Sequence, residues 1–435
     1  MPLPCQLFTA SISVKSPRTV VYAGGKKKAL EMADHSPPDT KRGPGKKRGG
    51  KSGKVADFRY KRPSRPDGKR SDRRNPPRRD VGFAARAPAV SATHSPQPHR
   101  QAYAALDLGT NNCRLLIARP SGENFTVIDA FSRVVRLGEG LAASGRLSDE
   151  SMERTLAALH VCAEKLRRRN VRLARSVATE ACRRACNGPA FIERVRRETG
   201  IMLDIISAQE EARLAVLGCH ILLEEGDGPA IIFDIGGGST ELVLVQPGDK
   251  VPRIVDWLSV PWGVVSLTDT VQGSDASEAS RLERYAGMRQ TVSASFAEFA
   301  ERIRKHTQSR EPIRLLGTSG TVTTLASLHL ELPQYDRRAV DGLIVPSQAM
   351  RDISTRLSRM SAGDRKCLPC IGDDRANLVI AGCAILESIL DIWPAEQLGV
   401  ADRGIREGIL RSLIAADAEG ERSRAALQRM REQDV

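Results

Sequence analysis

The sequence predicts an α/β protein in which two units of βββαβαβα type face each other across a cleft, preceded by a basic segment with no core of its own. Three observations predict it. Two stretches share one layout: "YAALDLGTNNCRLLIARP" (103–120) and "FDIGGGSTELVLV" (233–245) each run strand, Asp-x-Gly, small polar turn, second apolar strand, so that Asp107 matches Asp234 and Gly109 matches Gly236. The elements that follow each stretch match coarsely in order. The charge is lopsided: residues 1–100 hold 24 Lys+Arg against 7 Asp+Glu, while the rest of the chain is close to neutral.

After the first hairpin the pattern predicts a third strand (125–134). A helix follows (148–169) with Met152, Leu156, Leu159 and Leu166 on one face. Then come a strand (172–178), a helix (188–199), a strand (202–206) and a helix (208–223). After the second hairpin come a strand (252–260) and helical segments, the longest at 278–305. There Leu282, Tyr285, Val292, Phe296, Phe299 and Ile303 fall at helical spacing. A strand (313–317), a helix (319–329), a long apolar helix (373–392), a strand (397–401) and a terminal helix (404–416) complete the unit. The expected domains are a basic arm over 1–100, a first domain over 101–212 with 417–435 packing back on it, and a second domain over 213–416.

The 435 residues carry a net charge of +15. Its confinement to the first hundred residues argues against a nucleic-acid reading for the body. "KRGPGKKRGGKSGK" (41–54) and "KRPSRPDGKRSDRRNPPRRD" (61–80) have almost no apolar residue and cannot offset their ordering entropy. Such an arm is either a solvated tail, with Met32 as a later start, or an electrostatic arm for a polyanion. No uncharged apolar run is long enough for a membrane span, and the amino terminus lacks the features of a signal peptide. The nine cysteines are scattered, several of them in apolar runs, as expected of reduced thiols in a cytoplasm. "CLPC" (367–370) has zinc-like or redox-like spacing without a second pair, which favours structural cysteines near a turn.

The two hairpin turns carry the chemistry. Three glycines weaken a strand end, and an aspartate there is costly unless paired. Both costs make sense if the turn holds an anion. Gly236, Gly237 and Gly238 let backbone approach closely, and the amides of 236–240, Ser239 and Thr240 included, form a nest for phosphate oxygens. A phosphate brings a divalent cation such as Mg²⁺, which relieves Asp234 and Glu241. Asp107 and the Thr110–Asn111 turn offer the same chemistry from the other jaw. In "SAQEEAR", Ser207 and Glu210 have capping-box spacing, which claims Glu210 for the helix end and leaves Glu211 unassigned. Arg183 reads on its own as a surface charge beside Arg184.

These hairpins resemble the phosphate loops of the actin/Hsp70/sugar-kinase superfamily. Within it the chain resembles the exopolyphosphatase and guanosine pentaphosphate phosphohydrolase (Ppx/GppA) family. "ALDLGTNNCRLLIA", "VATEACRRACN", "ISAQEEARLA", "FDIGGGSTELV", "LLGTSGTVTTLA" and "ADRGIREGIL" carry the likeness in order, over about residues 103–415. The resemblance is to the short, two-domain form, without the helical carboxy-terminal extension of larger members. It implies two ribonuclease H-like (actin-like ATPase) domains, Glu211 as the catalytic glutamate and Arg183 as a phosphate-binding arginine. It also implies Mg²⁺ held by Asp234 and Glu241 with Asp107, and a turn at 314–325 lining the path of the substrate. The implied substrate is inorganic polyphosphate or guanosine pentaphosphate, and the family leaves room for a homodimer. An ATP-dependent kinase of the same fold lacks an evident acceptor segment here. A non-enzymatic sensor of alarmones or polyanions has no use for the full acidic set of Asp107, Glu211, Asp234 and Glu241.

Overall fold

In the computed structural model of the protein the described residues are 101–122, 124–248, 251–307 and 311–433. The basic arm, Met32 and Cys5 lie outside them.

The first sheet is built from β1 (Ala102–Leu108), β2 (Asn112–Ser121), β3 (Asn124–Val134), β4 (Val171–Ala178) and β5 (Leu203–Ile205), in the order β3-β2-β1-β4-β5. β1, β2 and β3 are antiparallel neighbours, and β4 and β5 extend the sheet in parallel. The second sheet repeats this plan with β6 (Ala230–Ile235), β7 (Thr240–Gln246), β8 (Arg253–Val260), β9 (Arg314–Thr318) and β11 (Gln397–Ala401). β10 (Ile344–Pro346) adds an antiparallel edge strand on β11. Each central strand is buried on both faces, which is why "AALDL" and "AIIFDI" read as continuous apolar runs.

The helices are α1 (Leu141–Ser144), α2 (Asp149–Arg168), α3 (Glu180–Arg184), α4 (Gly188–Thr199), α5 (Ala208–Cys219), α6 (Val264–Thr270), α7 (Glu278–Thr307), α8 (Gly320–His329), α9 (Arg337–Val340), α10 (Ser347–Arg359), α11 (Ala362–Lys366), α12 (Val379–Ile392) and α13 (Ile405–Gln433). Ser148 caps α2 by accepting from Ser151 N, and the four apolar residues predicted for one face of α2 pack on the first sheet. On α7 five of the six predicted residues are buried. Leu282 is instead exposed, and Met288 enters the core.

Several elements depart from the sequence reading. The segment 330–372, for which it names no element, holds α9, β10, α10 and α11. β10 is three residues long and ends at Pro346, too short to show a period. The apolar helix expected from 373 starts at Val379. Gly372 at φ +66 and the turn after it come first, and this turn presents Asp374 and Arg375 away from the core. The helix expected over 208–223 stops at Cys219 and gives way to one 3₁₀ turn at His220–Leu222. The terminal helix runs past 416 to Gln433.

The position 212/213, where the sequence suggests a domain boundary, falls inside α5. Leu214 and Ala215 of that helix pack on the first sheet, while Ala212, Val216 and Cys219 pack on the second. Ile405, Ile409 and Leu410 of α13 also pack on the first sheet. Beyond them Asp417 accepts from Tyr103 Oη at 2.6 Å. Helices α5 and α13 therefore meet between the two sheets, and the carboxy-terminal helix returns to the first. Among the described residues no helix is long and apolar enough to cross a membrane.

Candidate active site

The two predicted turns have one geometry. Gly109 N donates to Asn112 O at 2.9 Å, and Gly236 N donates to Ser239 O at 2.9 Å, so each hairpin closes over four residues. The turns also touch. A Cβ on Gly238 would stand 2.5 Å from Thr110 Oγ1 and 2.8 Å from Glu180 Cγ, and one on Gly237 would stand 3.1 Å from Asn111 N. Glycine at 238 is thus required by the approach of the opposite jaw, and at 237 a side chain would be tight, in addition to any ligand. Gly236 O and Gly237 O accept from Val264 N and Val265 N at the start of α6, which fixes the turn from behind. The amides of Gly237 and Gly238 have no partner among the described residues. Two side-chain atoms of the first turn, Thr110 Oγ1 and Asn111 Oδ1, are buried without a hydrogen bond. Orphaned polar atoms of this kind are rare unless a ligand or water completes them.

Around these turns lies a cleft of about 140 Å³, lined by the turns, Asp107, Glu211, Asp234 and Glu241. All predicted site residues except Arg183 and Thr240 line it. Thr240 is buried at the start of β7, where its hydroxyl donates to Trp262 O at 2.7 Å. Arg183 stands behind Glu211. Its Nη1 donates to Glu211 Oε2 at 3.0 Å and to Ile206 O at 2.9 Å, and its Nη2 donates to Glu180 Oε2 at 2.7 Å. The guanidinium is thus engaged with two carboxylates and one carbonyl in this structure.

Three charged lining residues escaped the sequence reading: Arg114, Arg375 and Glu180. Arg114 sits opposite Asp107 in the β1–β2 register. Its signal was available, because a lone arginine in "CRLLIA" two residues past Asn112 must face the same side of the strand. Arg375 donates to Thr324 Oγ1 at 2.9 Å and forms no ion pair among the described residues. Ser319, in the predicted 314–325 turn, lines the cleft at φ +126 and ψ 173. That conformation costs a non-glycine residue about 1–3 kcal/mol and persists where the surroundings dictate it.

The sequence profile of the Ppx/GppA phosphatase family matches residues 116–416. The chain belongs to that family. It is 31% identical to Exopolyphosphatase 2 of Mycobacterium tuberculosis over 328 residues, which span 71% of this chain and 98% of that protein. With Exopolyphosphatase 1 of the same organism it shares 27% identity over 317 residues, 72% of this chain and 89% of that one. The crystal structure of the Aquifex aeolicus Ppx/GppA family member superimposes with a TM-score of 0.59 at 28% identity, over 73% of this chain and 98% of that one. The two-domain actin-like α/β fold is thereby shown, and with it a phosphatase of the Ppx/GppA family.

Electrostatically, the cleft of this Ppx/GppA phosphatase is a set of mutually repelling carboxyls. Burial, then the neighbouring Asp107, push Asp234 up to about 6 against the opposing pull of Arg114. Burial, then Asp234, push Glu241 up to about 7, although the Ser239 and Ser259 hydroxyls donate to its Oε1 at 2.6 and 2.9 Å. Asp107 is raised by burial against Arg114. Glu211 is held well above the usual range by burial and then by Glu241, against the pull of Arg183.

The helix end before Glu211 differs from the capping box in one respect. Ser207 Oγ accepts from Glu210 N at 3.1 Å, but the Glu210 carboxylate goes to Arg175 at 2.9 Å and to Arg213 at 2.7 Å instead of back to Ser207. Two arginines outcompete one amide for it. Ser207→Ala should therefore lower stability by about 1 kcal/mol. Glu210→Ala, which removes only partly exposed ion pairs, should cost about 0.5 kcal/mol and leave turnover intact. Urea denaturation and phosphate-release assays on both variants check this order, and a loss of turnover in Glu210→Ala would move the catalytic assignment to that residue.

Elsewhere, Cys367 Sγ and Cys370 Sγ bond to different carbonyls, Gly363 O and Leu332 O. Among the described residues no group of three or more His, Cys, Asp or Glu side chains is placed to hold a metal by itself.

Proposed function

We propose that this protein is an exopolyphosphatase that releases terminal orthophosphate from inorganic polyphosphate by attack of water. The observation that carries the reading is the Glu211 carboxyl, buried at the back of a cleft whose walls are two phosphate-type turns and two arginines. Arg183 occupies Glu211 Oε2, and Oε1 accepts no hydrogen bond among the described residues. Oε1 is thus the atom that takes the proton of the attacking water. The amides of Gly237 and Gly238, Ser239, Thr110 and Asn111 hold the terminal phosphoryl oxygens, and Arg114 and Arg375 meet the charge of the chain. Water adds to the terminal phosphorus, the P–O–P bridge breaks, and orthophosphate leaves a chain shorter by one unit. Such transfer is mainly positioning plus electrostatics, which this cleft supplies. Arg183 would reach a phosphate oxygen only by releasing Glu211, to which it donates in this structure.

The residues fit a divalent cation shared with the substrate. Asp234 accepts no hydrogen bond among the described residues and is crowded by Asp107 and Glu241, while Glu241 spends one oxygen on two serines. One or two carboxylates plus phosphate oxygens and water is the usual way to hold Mg²⁺, and no protein cage is needed. Bound there, the ion would offset charge developing on the phosphoryl oxygens. Asp234→Asn should raise the Mg²⁺ concentration needed for half-maximal turnover about tenfold, as for a lost charged ligand. An unchanged Mg²⁺ titration argues against Asp234 as a ligand.

No aromatic side chain lines the cleft among the described residues, so no ring there stacks a guanine. This favours polyphosphate over guanosine pentaphosphate. Phosphate release with Mg²⁺ from long polyphosphate, short polyphosphate and guanosine pentaphosphate, measured side by side, tests the reading. Preference for the nucleotide overturns the substrate, and release from none of them overturns the reaction.

A further inference from the structure

One ion pair crosses between the two halves beside the cleft, and the chemistry above does not use it. Arg136 Nη2 donates to Asp374 Oδ1 at 2.7 Å. Arg136 follows β3 in the first half, and Asp374 lies in the turn before α12 in the second. Each is fastened to the site. Arg136 N donates to Asn111 O of the first turn at 3.1 Å, beside Val135 N at 2.9 Å. Asp374 immediately precedes Arg375.

Two observations suggest that the pair is more than a surface contact. Arg136 has φ +47, in the left-handed region that is costly for a residue other than glycine, and its carbonyl is held by Arg154 Nη2 at 3.4 Å. The bonds to Asn111 and Arg154 keep the backbone in a conformation that sets this arginine beside the turn. Yet the pair itself is 47% and 58% exposed, and ion pairs as open as this contribute little. The strain is therefore not explained by the bridge. It is held by the turn, through the bonds of Arg136 to Asn111, Glu139 and Arg154. Arg114 and Arg375 line the cleft and form no ion pair among the described residues, and the Arg136 guanidinium is held by Asp374, the neighbour of Arg375. An incoming chain with a negative charge on every phosphate outcompetes one solvated carboxylate for it.

We propose that Arg136 is a further substrate-binding residue, an outer phosphate contact held in waiting by Asp374 and handed to the polyphosphate chain as it enters. The proposal rests on the reading of the cleft as a polyphosphate site. Arg136 serves a phosphate beyond those gripped by the turns, so it matters for long chains and hardly for short ones. Asp374 acts as a competitor: it keeps the arginine placed until a long chain reaches it.

The two single variants separate this from a structural latch. A latch is lost equally from either side, so Arg136→Gln and Asp374→Asn would behave alike. Competition predicts opposite signs. The measurement is calorimetric binding of long-chain polyphosphate and of tripolyphosphate to the full-length chain, with Glu211→Gln present throughout to prevent turnover. Arg136→Gln should weaken long-chain binding about fivefold, and Asp374→Asn should tighten it about twofold, as expected for one exposed charge contact. Tripolyphosphate should be unaffected, and both differences should shrink at high salt. Shifts of the same sign, no shift, equal shifts on tripolyphosphate, or no binding by the parent overturn the proposal. The underlying reading fails separately, when the wild-type chain binds polyphosphate and releases no phosphate from it.

Discussion

Glu211→Gln is expected to abolish turnover while leaving substrate affinity nearly unchanged. A positioned general base contributes about 10²–10⁴-fold to the rate, and nearly all of that appears in kcat because the base acts on the water. Affinity is preserved for a structural reason: the glutamine amide oxygen still accepts from Arg183, which also keeps Glu180. The pH profile supplies an independent readout. Burial and Glu241 raise the proton affinity of Glu211, so it is protonated at pH values where an ordinary glutamate is ionised. Wild-type kcat/KM should therefore rise with pH through that raised value, and the variant's residual rate should lose this limb. Stability runs the other way. The folded chain binds this proton more tightly than the unfolded chain, so the group's contribution is full below the ordinary glutamate range. It is lost as pH rises through the raised value. Glu211→Gln should thus melt higher than wild type in mildly alkaline buffer. A variant that keeps more than a tenth of wild-type kcat, or keeps the acid limb, removes Glu211 from the role of base.

What the sequence disclosed and what it withheld divide along a physical line. Both hairpins were readable because strand periodicity and an Asp-Gly turn are local signals, and their duplication revealed the second jaw from the first. Glu211 stood apart from Glu210 on helix-end grounds, even though Glu210 makes arginine pairs and not the capping-box bond. Arg375 was not readable. It sits in a turn with no period, and only the packing of α12 under the second sheet brings it to the cleft. Glu180 was hidden for a similar reason: it lies under Gly238 only because the two turns abut. The abutment also changes the meaning of the glycine run. The sequence assigns those glycines to an anion, whereas the structure shows a second demand, room for Thr110 and Asn111. In segment 330–372, α9, β10 and α11 are too short to show a period, whereas α10, with Met350, Ile353 and Leu357 on one face after Pro346, carried a readable signal that was missed.

The largest effect on stability is expected at Gly408, where the two inter-sheet helices cross. A Cβ there would stand 2.0 Å from Leu214 O, and one on Gly218 would stand 1.9 Å from Gly404 O. Both obstacles are backbone, so no side chain can swing aside and α5 and α13 must separate. Alanine is a better helix former than glycine by about 1 kcal/mol, which favours the substitution. Forced overpacking costs about 1–3 kcal/mol and at times more, and a 2.0 Å approach to a main-chain oxygen belongs at or beyond the upper end. The steric cost wins, and Gly408→Ala should destabilise by about 2 kcal/mol or more on the same scale. Activity should fall further than the folded fraction does, because Leu214 lies one turn after Glu211 on α5 and any displacement of that helix moves the base. Gly287→Ala on α7 is the control. Its Cβ would meet only Val271 Cγ1 at 3.6 Å, an ordinary contact, so helix propensity should leave it neutral or more stable, with turnover unchanged. Denaturation curves and phosphate-release rates on the two variants decide the matter. If both glycines tolerate alanine equally, the close crossing of α5 and α13 does not hold the two sheets, and Glu211 is positioned by something else.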